Sequence, residues 1–223
     1  MVKTLDDLAN QYQTDKGSAY AGGSRHGYAS IYDQRYLSKW RNEQIRLLEI
    51  GISLEPAHGG QSVNMWYDYF SKAQIYTMDI LNMHSHPCIV DLKDRVKFFQ
   101  ADQSDRNQLS AMYESFGSEQ FDFILEDGSH EHNHQMISLG HLFKYAKSGG
   151  YYILEDMSIP DNLVCCIRND DTYRAIQELA DTGKINSKFV LPEEKAYIES
   201  NIKNIEIYPD IQDAYAVAII TKK

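Results

Sequence analysis

The chain has 223 residues, a formal net charge of −10 at pH 7 and only three cysteines, Cys88, Cys165 and Cys166. That acidity argues against a general nucleic-acid or anionic-membrane binder, because both rely on positive fields. No apolar run approaches the ~20 residues of a membrane span, and the N-terminus lacks the apolar core of a secretory signal. We therefore expect a cytoplasmic α/β protein with reduced thiols, in which Cys165-Cys166 has no evident mechanistic role.

Residues 1–45 are predicted to form an N-terminal helical extension. Leu5–Tyr12 has the composition of a short helix, and an aromatic-rich segment follows it. Tyr28, Tyr32 and Tyr36 fall four residues apart and would share one helical face. That face either packs on the rest of the protein or belongs to a lid with glycines as flexible points. His26 and Tyr28 are correspondingly candidates to contact a substrate, with structural packing as the alternative.

Residues 46–223 are predicted to form one Rossmann-like, doubly wound domain. Short apolar runs alternate with helical patterns, which is typical of parallel strands joined by helical crossovers. The last two runs flank a polar turn and predict a C-terminal antiparallel hairpin, giving a mixed seven-stranded sheet. The predicted strands are Arg46–Ile50, Gln74–Ile80, Val96–Gln100, Phe121–Leu125, Tyr151–Leu154, Ile202–Tyr208 and Tyr215–Thr221.

The first strand leads into a glycine-containing loop. Glu49 and Gly51 end that strand, and a helix is expected from about Ser62. A glycine turn between a first strand and a helix is the usual nucleotide cradle of doubly wound folds. The loop matches neither GxGxxG nor the GK[ST] of a phosphate loop, which makes an NAD-dependent dehydrogenase a poor alternative.

Polar side chains also follow the next two strands. Asp79 ends the second strand and is placed to accept hydrogen bonds from ribose hydroxyls, or else to cap the following helix. Asp102 and Gln103 follow the third strand, where the oxygen of an acid or amide could accept a hydrogen bond from an adenine amino group.

The block Phe121–Asp156 is predicted to be a strand, a helix and a second parallel strand. Met136, Leu139, Phe143 and Ala146 recur at helical spacing, and the double glycine at 149–150 is interpreted as the end of that helix. A right-handed crossover of this length places the two strands side by side, with their carboxyl ends at one rim of the sheet.

Acids and histidines are concentrated at the two strand ends of this block. Asp127 follows the first strand, and Glu155 and Asp156 follow the second. Three carboxylates at one rim repel one another unless a cation lies among them, and oxygen ligands favour Mg²⁺. Because adjacent residues of a strand point to opposite faces, Glu155 and Asp156 can share a metal only if the strand bends there. His130 is the candidate general base, and His134, four residues later, either contacts substrate or is a surface histidine.

These motifs together resemble a known family. The polar residues at four successive strand ends resemble those of class I S-adenosylmethionine-dependent methyltransferases. This resemblance makes seven residues candidates to bind the cofactor, namely Glu49, Gly51, Ser62, Asp79, Asp102, Gln103 and Asp127. The segments TDKGS…HGY…IYDQRY, PAHGGQSVNMW, ADQSD and LEDGSHEHNHQ…LFKYAKSGGYYILED resemble, more narrowly, the metal-dependent mycinamicin-type macrolide sugar O-methyltransferases. The narrower resemblance covers about Thr14–Asp156.

The resemblance implies a role for each matching residue. In that family the aspartate of the DGSH motif is a magnesium ligand and its histidine is the catalytic base, here Asp127 and His130. The closing Glu-Asp supplies the other ligands, here Glu155 and Asp156. The chain departs from the common pattern at Glu126, where relatives usually carry an aspartate.

The expected function is thus Mg²⁺-dependent methylation of a sugar hydroxyl on a glycosylated natural product or glycan, with S-adenosylmethionine as donor. One alternative keeps the cofactor and changes the acceptor to a catechol-like small molecule. Another is a Rossmann-like nucleotide- or metal-binding module without turnover. Neither a nucleic-acid nor a membrane partner is expected, whereas the N-terminal aromatics leave room for a homo-oligomer.

Overall fold

The computed structural model describes residues 2–22, 26–53, 59–159, 171–210 and 215–223, so the predictions for Cys165 and Cys166 lie outside it. Seven strands form one sheet, and their bounds are β1 (Arg46–Ile50), β2 (Gln74–Asp79), β3 (Val96–Gln100), β4 (Phe121–Glu126), β5 (Ala146–Ser158), β6 (Ile202–Asp210) and β7 (Tyr215–Lys222).

The strand order is β3-β2-β1-β4-β5-β7-β6. β1 to β5 pair in parallel, whereas β7 is antiparallel to both β5 and β6. The predicted mixed seven-stranded sheet with a C-terminal antiparallel strand pair is confirmed. The chain runs outward from β1 to β3 and then returns to β4 on the other side of β1. Such a reversal opens a crevice at the carboxyl ends of β1 and β4, which is where ligands of open α/β sheets bind.

The helices lie on both faces of the sheet. Their bounds are α1 (Leu5–Tyr12), α2 (Tyr28–Tyr32), α3 (Gln61–Tyr69), α4 (Pro87–Val90), α5 (Arg106–Ser115), α6 (His132–Leu142), α7 (Asp171–Thr182) and α8 (Pro192–Asn201). α1 begins with a capping box, in which Thr4 and Asp7 satisfy each other's backbone N–H groups. Among the residues described, no helix has the length and apolarity to cross a membrane.

Successive residues of the strands point to opposite faces of the sheet and pack in two separate hydrophobic cores. Leu47 of β1 packs in a cluster with α1, α2, α3 and α4, and its neighbour Leu48 packs in a cluster with α5 to α8. The aromatic residues Tyr28, Tyr32 and Tyr36 are buried in the first cluster. The N-terminal extension therefore shares its core with the sheet, which supports the packing interpretation of the tyrosines.

The predicted helix end at the double glycine is wrong. α6 ends at Leu142, a 3₁₀ turn covers Phe143–Tyr145, and β5 has already begun at Ala146. Gly149 has a φ of 75°, and a Cβ at Gly150 would overlap the backbone of β4. The two glycines therefore permit an irregular start of the β4–β5 pairing, where the register shifts.

β5 bends at the acidic pair. Its register with β7 shifts between Leu154 and Met157, and Asp156 has a φ of 54°. A straight strand would send Glu155 and Asp156 to opposite faces. The bulge provides the bend that a shared site requires.

Candidate active site

A cavity of about 510 Å³ lies at the carboxyl ends of β1, β2 and β4, within the usual size range of small-molecule sites. Most residues predicted to bind the cofactor line it, namely Gly51, Ser62, Asp79, Asp102, Gln103 and Asp127. The N-terminal extension forms another wall through Gln13, Thr14, Asp15, Lys16 and Tyr20.

Glu49 is buried outside the wall of this cavity. Ser62 and Trp66 are near its carboxyl group, but within the described residues neither makes a hydrogen bond of ordinary geometry to it. Burial raises the pKa of Glu49 to about 7, and the positive charge of Lys16 opposes that rise. Glu49 therefore does not line the cavity, but it lies near Ser62 and Lys16, which do.

The Asp79 carboxylate is largely occupied by backbone donors. One oxygen accepts hydrogen bonds from Ile52 N at 2.9 Å and Ser53 N at 3.1 Å, and the other accepts from Leu81 N at 2.8 Å. An ionised carboxylate offers about four lone-pair positions, so about one remains for a ribose hydroxyl. Asp79 thus holds the loop after β1 in place as well as facing the cavity.

Asp102 and Gln103 are also engaged with their neighbours. Asp102 Oδ1 accepts hydrogen bonds from the backbone and hydroxyl of Ser104 at 2.8 and 2.7 Å. Gln103 donates to Glu126 at 2.6 Å and accepts from Ser129 N at 3.0 Å. The Gln103 amide therefore organises the loop after β4. It also fixes the position of Glu126, whose extra methylene distinguishes this chain from the expected pattern.

Three polar side chains converge at the carboxyl ends of β4 and β5. Asp127, His130 and Asp156 each offer one ligand atom, and these atoms lie within 4.8 Å of one another. His130 Nε2 is 3.9 Å from Asp127 Oδ1 and 3.8 Å from Asp156 Oδ2. His130 Nδ1 is buried and has no hydrogen-bond partner within the described part of the chain. We call these residues, with Glu155, the rim.

Glu155 is not one of the three converging residues and is held by other partners. One of its oxygens accepts a hydrogen bond from Tyr32 and the other accepts from Lys16 Nζ at 2.6 Å. Lys16 also donates to Asp127 Oδ2. Asp127 and Asp156 are therefore brought together, whereas the Lys16 ammonium lies between Asp127 and Glu155.

Burial shapes the charges of this group. Desolvation opposes the charged form of Lys16, but the nearby Asp127 and Glu155 outweigh it and raise the pKa of the ammonium. Desolvation likewise raises the pKa of the Glu155 carboxyl, against the attraction of Lys16. The ion pairs are what allow these charges to stay buried.

The proposed substrate contacts fall in two places. His26 and Tyr28 do not line the cavity but approach Asp156 Oδ1, at 3.6 Å from His26 Nε2 and 3.1 Å from the Tyr28 hydroxyl. His134 lines the cavity and bonds Ser129 Oγ at 2.7 Å. His132, by contrast, pairs with Thr172 at 3.0 Å and packs on Phe189.

Sequence reasoning missed Lys16 and Tyr32 as members of the site. Lys16 lies in the TDKG stretch that carries the family resemblance, which was the available signal. Tyr32 belongs to the tyrosine face, for which packing and a lid were the two interpretations, and neither included a hydrogen bond to an acid.

The chain is similar in sequence to characterised O-methyltransferases. The chain is 37% identical over 155 residues to mycinamicin VI 2''-O-methyltransferase of Micromonospora griseorubida, which covers 69% of this chain. It is 35% identical over a stretch of equal length to demethylmacrocin O-methyltransferase of Streptomyces fradiae. The chain spans only 36% of the length of each of these relatives. No protein-family model matches it.

Solved structures agree with these sequence matches. The MycE methyltransferase of the mycinamycin biosynthetic pathway, in complex with Mg, SAH and mycinamycin VI, aligns with a TM-score of 0.72 at 28% identity, covering 99% of this chain and 54% of that one. An O-methyltransferase from Bacillus cereus in complex with SAH aligns at a TM-score of 0.57 and 13% identity, covering 98% of this chain and 90% of that one, which supports the fold alone. The chain has the fold of class I S-adenosylmethionine-dependent methyltransferases and is a homologue of the macrolide sugar O-methyltransferases, which confirms the predicted family.

Proposed function

We propose that this chain carries a Mg²⁺-dependent site that transfers a methyl group from S-adenosylmethionine to a sugar hydroxyl of a glycosylated natural product or glycan. The observation that carries the proposal is the convergence of Asp127, His130 and Asp156 beside a cavity of cofactor size. Two of the sequence relatives are named as O-methyltransferases of mycinamicin VI and of a rhamnosyl tetracenomycin C, which supports a sugar-bearing acceptor.

The cavity fits the proposed cofactor in size and chemistry. Ile80, Leu81 and Ala101 give it apolar surface for an adenine ring, and Asp79 retains acceptor capacity for a ribose hydroxyl. Gly51 lets the backbone of β1 approach the loop after β4, since a Cβ there would overlap the Asp127 carbonyl. The acidic lining also suits a sulfonium cation.

The rim fits a hard divalent cation. Asp127 and Asp156 present carboxylate oxygens to one point, and Glu155, which accepts a hydrogen bond from Lys16, is a third acid beside them in the sequence. Oxygen donors of this kind suit Mg²⁺, whereas His130 supplies the nitrogen that Mg²⁺ favours less. A divalent cation bound there would lower the pKa of an acceptor hydroxyl and orient its oxygen.

His130 is the proposed general base. Its Nε2 faces the point where the two aspartates converge, so it reaches a hydroxyl held there. Asp127 and Asp156 flank the ring and stabilise the imidazolium that forms when the proton is accepted. The protein contributes the rest by aligning the sulfonium methyl group with the acceptor oxygen.

The decisive experiment compares two histidine variants. His130→Gln should retain binding of S-adenosylhomocysteine by calorimetry and lose roughly 100-fold or more of methyl transfer. His132→Gln is the matched control, because that ring faces Thr172 and Phe189 and not the cavity. Acceptors should include mycinamicin VI, a rhamnosyl tetracenomycin and a catechol, with methylated product detected by mass spectrometry.

Three outcomes would contradict the proposal. Equal loss of transfer in both variants would mean that His130 has no special role. Transfer to the catechol alone would replace the sugar acceptor with a phenolic one. Cofactor binding by the wild type without transfer to any acceptor would favour a binding module.

A further inference from the structure

Lys16 is a buried cation that contacts two acids of the rim. Its side chain is 1% exposed, and its ammonium donates to Asp127 Oδ2 and, at 2.6 Å, to Glu155 Oε2. Lys222 is also buried, but it donates to backbone carbonyls of residues 143, 144 and 146. Lys222 therefore stabilises a chain turn, whereas Lys16 neutralises carboxylates.

The backbone fixes the place of Lys16. Its carbonyl oxygen accepts a hydrogen bond from Ala29 N at 2.9 Å, and the carbonyl of Asp15 accepts from His26 N at 2.9 Å. These bonds tie Asp15 and Lys16 to His26 and to α2. The ammonium is thus delivered to the rim by the fold, and its contact with the acids does not depend on a mobile surface side chain.

The charges of the rim are matched to a second cation. Asp127, Glu155 and Asp156, when ionised, carry three negative charges, and Lys16 neutralises one of them. A divalent ion would balance the remainder. However, the ammonium also repels any cation that approaches and occupies oxygens that the cation would otherwise use.

We propose that Lys16 is a positioning residue that serves as the resident counter-ion of the rim and weakens its affinity for a divalent cation. It holds one oxygen of Asp127 and one of Glu155, which leaves Asp127 Oδ1 and Asp156 Oδ2 for the metal. In the metal-free protein the same ammonium keeps the buried acids paired. The inference rests on the metal site proposed above.

The test measures metal binding directly, without turnover. Mn²⁺, followed by electron paramagnetic resonance, replaces Mg²⁺ as the probe in titrations of the wild type and of Lys16→Met. The variant should bind Mn²⁺ about tenfold more tightly or better, because a neighbouring positive charge is gone and Glu155 is released. Lys3→Met is the matched control: it makes the same change in net charge at an exposed position and should bind like the wild type.

Thermal unfolding supplies a second readout. In EDTA, Lys16→Met should unfold at a lower temperature than the wild type, because its acids have lost their partner. Saturating Mn²⁺ should raise the Tm of the variant by more than it raises that of the wild type. Lys16→Arg, which retains the charge, should stay closer to the wild type than Lys16→Met in both measurements.

Each contrary result points to a different fault. If the wild type binds Mn²⁺ and Lys16→Met binds it equally or more weakly, the counter-ion role is wrong and the metal site stands. If neither protein binds Mn²⁺, the metal site itself is wrong. If Lys16→Met fails to fold even with Mn²⁺, a cation cannot replace the ammonium, and the role assigned to Lys16 is overturned.

Discussion

The side chains of His130 and Asp156 approach each other within the rim, and both residues have a left-handed backbone conformation. His130 Nε2 lies 3.8 Å from Asp156 Oδ2, and φ is 58° at His130 and 54° at Asp156. This conformation costs a non-glycine residue about 1–2 kcal/mol. Strain of this kind persists where the surroundings enforce it, and it is concentrated at functional sites.

Two substitutions at Asp156 should separate strain from charge. Asparagine tolerates left-handed backbone and can still accept the hydrogen bond from Tyr28, so Asp156→Asn should lose little stability. It should nevertheless bind Mn²⁺ about tenfold more weakly or worse, because a charged ligand is gone. Asp156→Ala should lose the same affinity and about 1 kcal/mol more stability by urea unfolding. Wild-type Mn²⁺ affinity in the asparagine variant would exclude Asp156 as a ligand.

Gly51 should be intolerant of any side chain. Its φ is 81°, and a Cβ would overlap the Asp127 carbonyl. Gly51→Ala should lower the free energy of unfolding by about 3 kcal/mol or more, since overlap adds to backbone strain, and should abolish binding of S-adenosylhomocysteine. Gly117→Ala is the control, because φ there is 91° and, apart from its chain neighbours, no atom of the described residues lies within 4 Å of the added Cβ. It should lose only about 1–2 kcal/mol, and equal losses at the two glycines would refute the close approach at Gly51.

Glu194 should stabilise the protein at neutral pH and not in acid. Burial favours a higher pKa, but hydrogen bonds led by those from Arg106, both 2.7 Å long, hold the pKa of Glu194 at about 2. Its stabilisation is therefore complete above the ordinary value of 4.5 and is lost as pH falls toward 2. Glu194→Gln should cost about 2 kcal/mol at pH 7, and the difference should shrink below pH 4.5.

The control for this experiment is Glu199→Gln. Glu199 pairs with the exposed Lys184 at 2.6 Å, so it should have a smaller effect at neutral pH. Chemical denaturation from pH 2.5 to 8 measures both variants. A pH-independent loss in Glu194→Gln would show that the carboxylate charge does not matter there.

Glu49 should show the opposite pH dependence. Its pKa is raised by burial from 4.5 to about 7, so the folded state retains a proton that the unfolded chain releases. Its contribution is therefore largest below pH 4.5 and is lost as pH rises through 7. Relative to the wild type, Glu49→Gln should gain stability between pH 4.5 and 8, by up to about 3 kcal/mol. A flat difference across that range would mean that Glu49 stays ionised.

The sequence predicted the rim because the rim follows from topology. Right-handed crossovers bring the carboxyl ends of parallel strands together, so residues that end β4 and β5 had to meet. Asp127 and Asp156 do so in the structure. The bend in β5 could not be predicted outright and was only a requirement for a shared site. The sequence has no glycine there to indicate the left-handed backbone of Asp156.

The contacts of Lys16 left no comparable pattern. Lys16 lies 111 residues from Asp127 and 139 from Glu155, and such long-range ion pairs follow no local periodicity. α8 was missed for another reason: Ile198 is its one buried apolar residue, which gives no amphipathic stripe to recognise. The double glycine before Tyr151 was wrongly interpreted as a helix end, because glycines end helices but also occur where a strand is irregular.

The segment from Gln13 to Lys16 has a consequence for how the two proposed ligands affect each other's binding. It forms a wall of the cofactor cavity and, through one side chain, also closes the acidic rim. A ligand in the cavity that shifts this segment also changes the contacts of Lys16 with the acids. It therefore changes the free energy of binding at the acidic site. If the proposed cofactor and the proposed cation both shift this segment, each must alter the affinity for the other by the same factor, because such coupling is reciprocal.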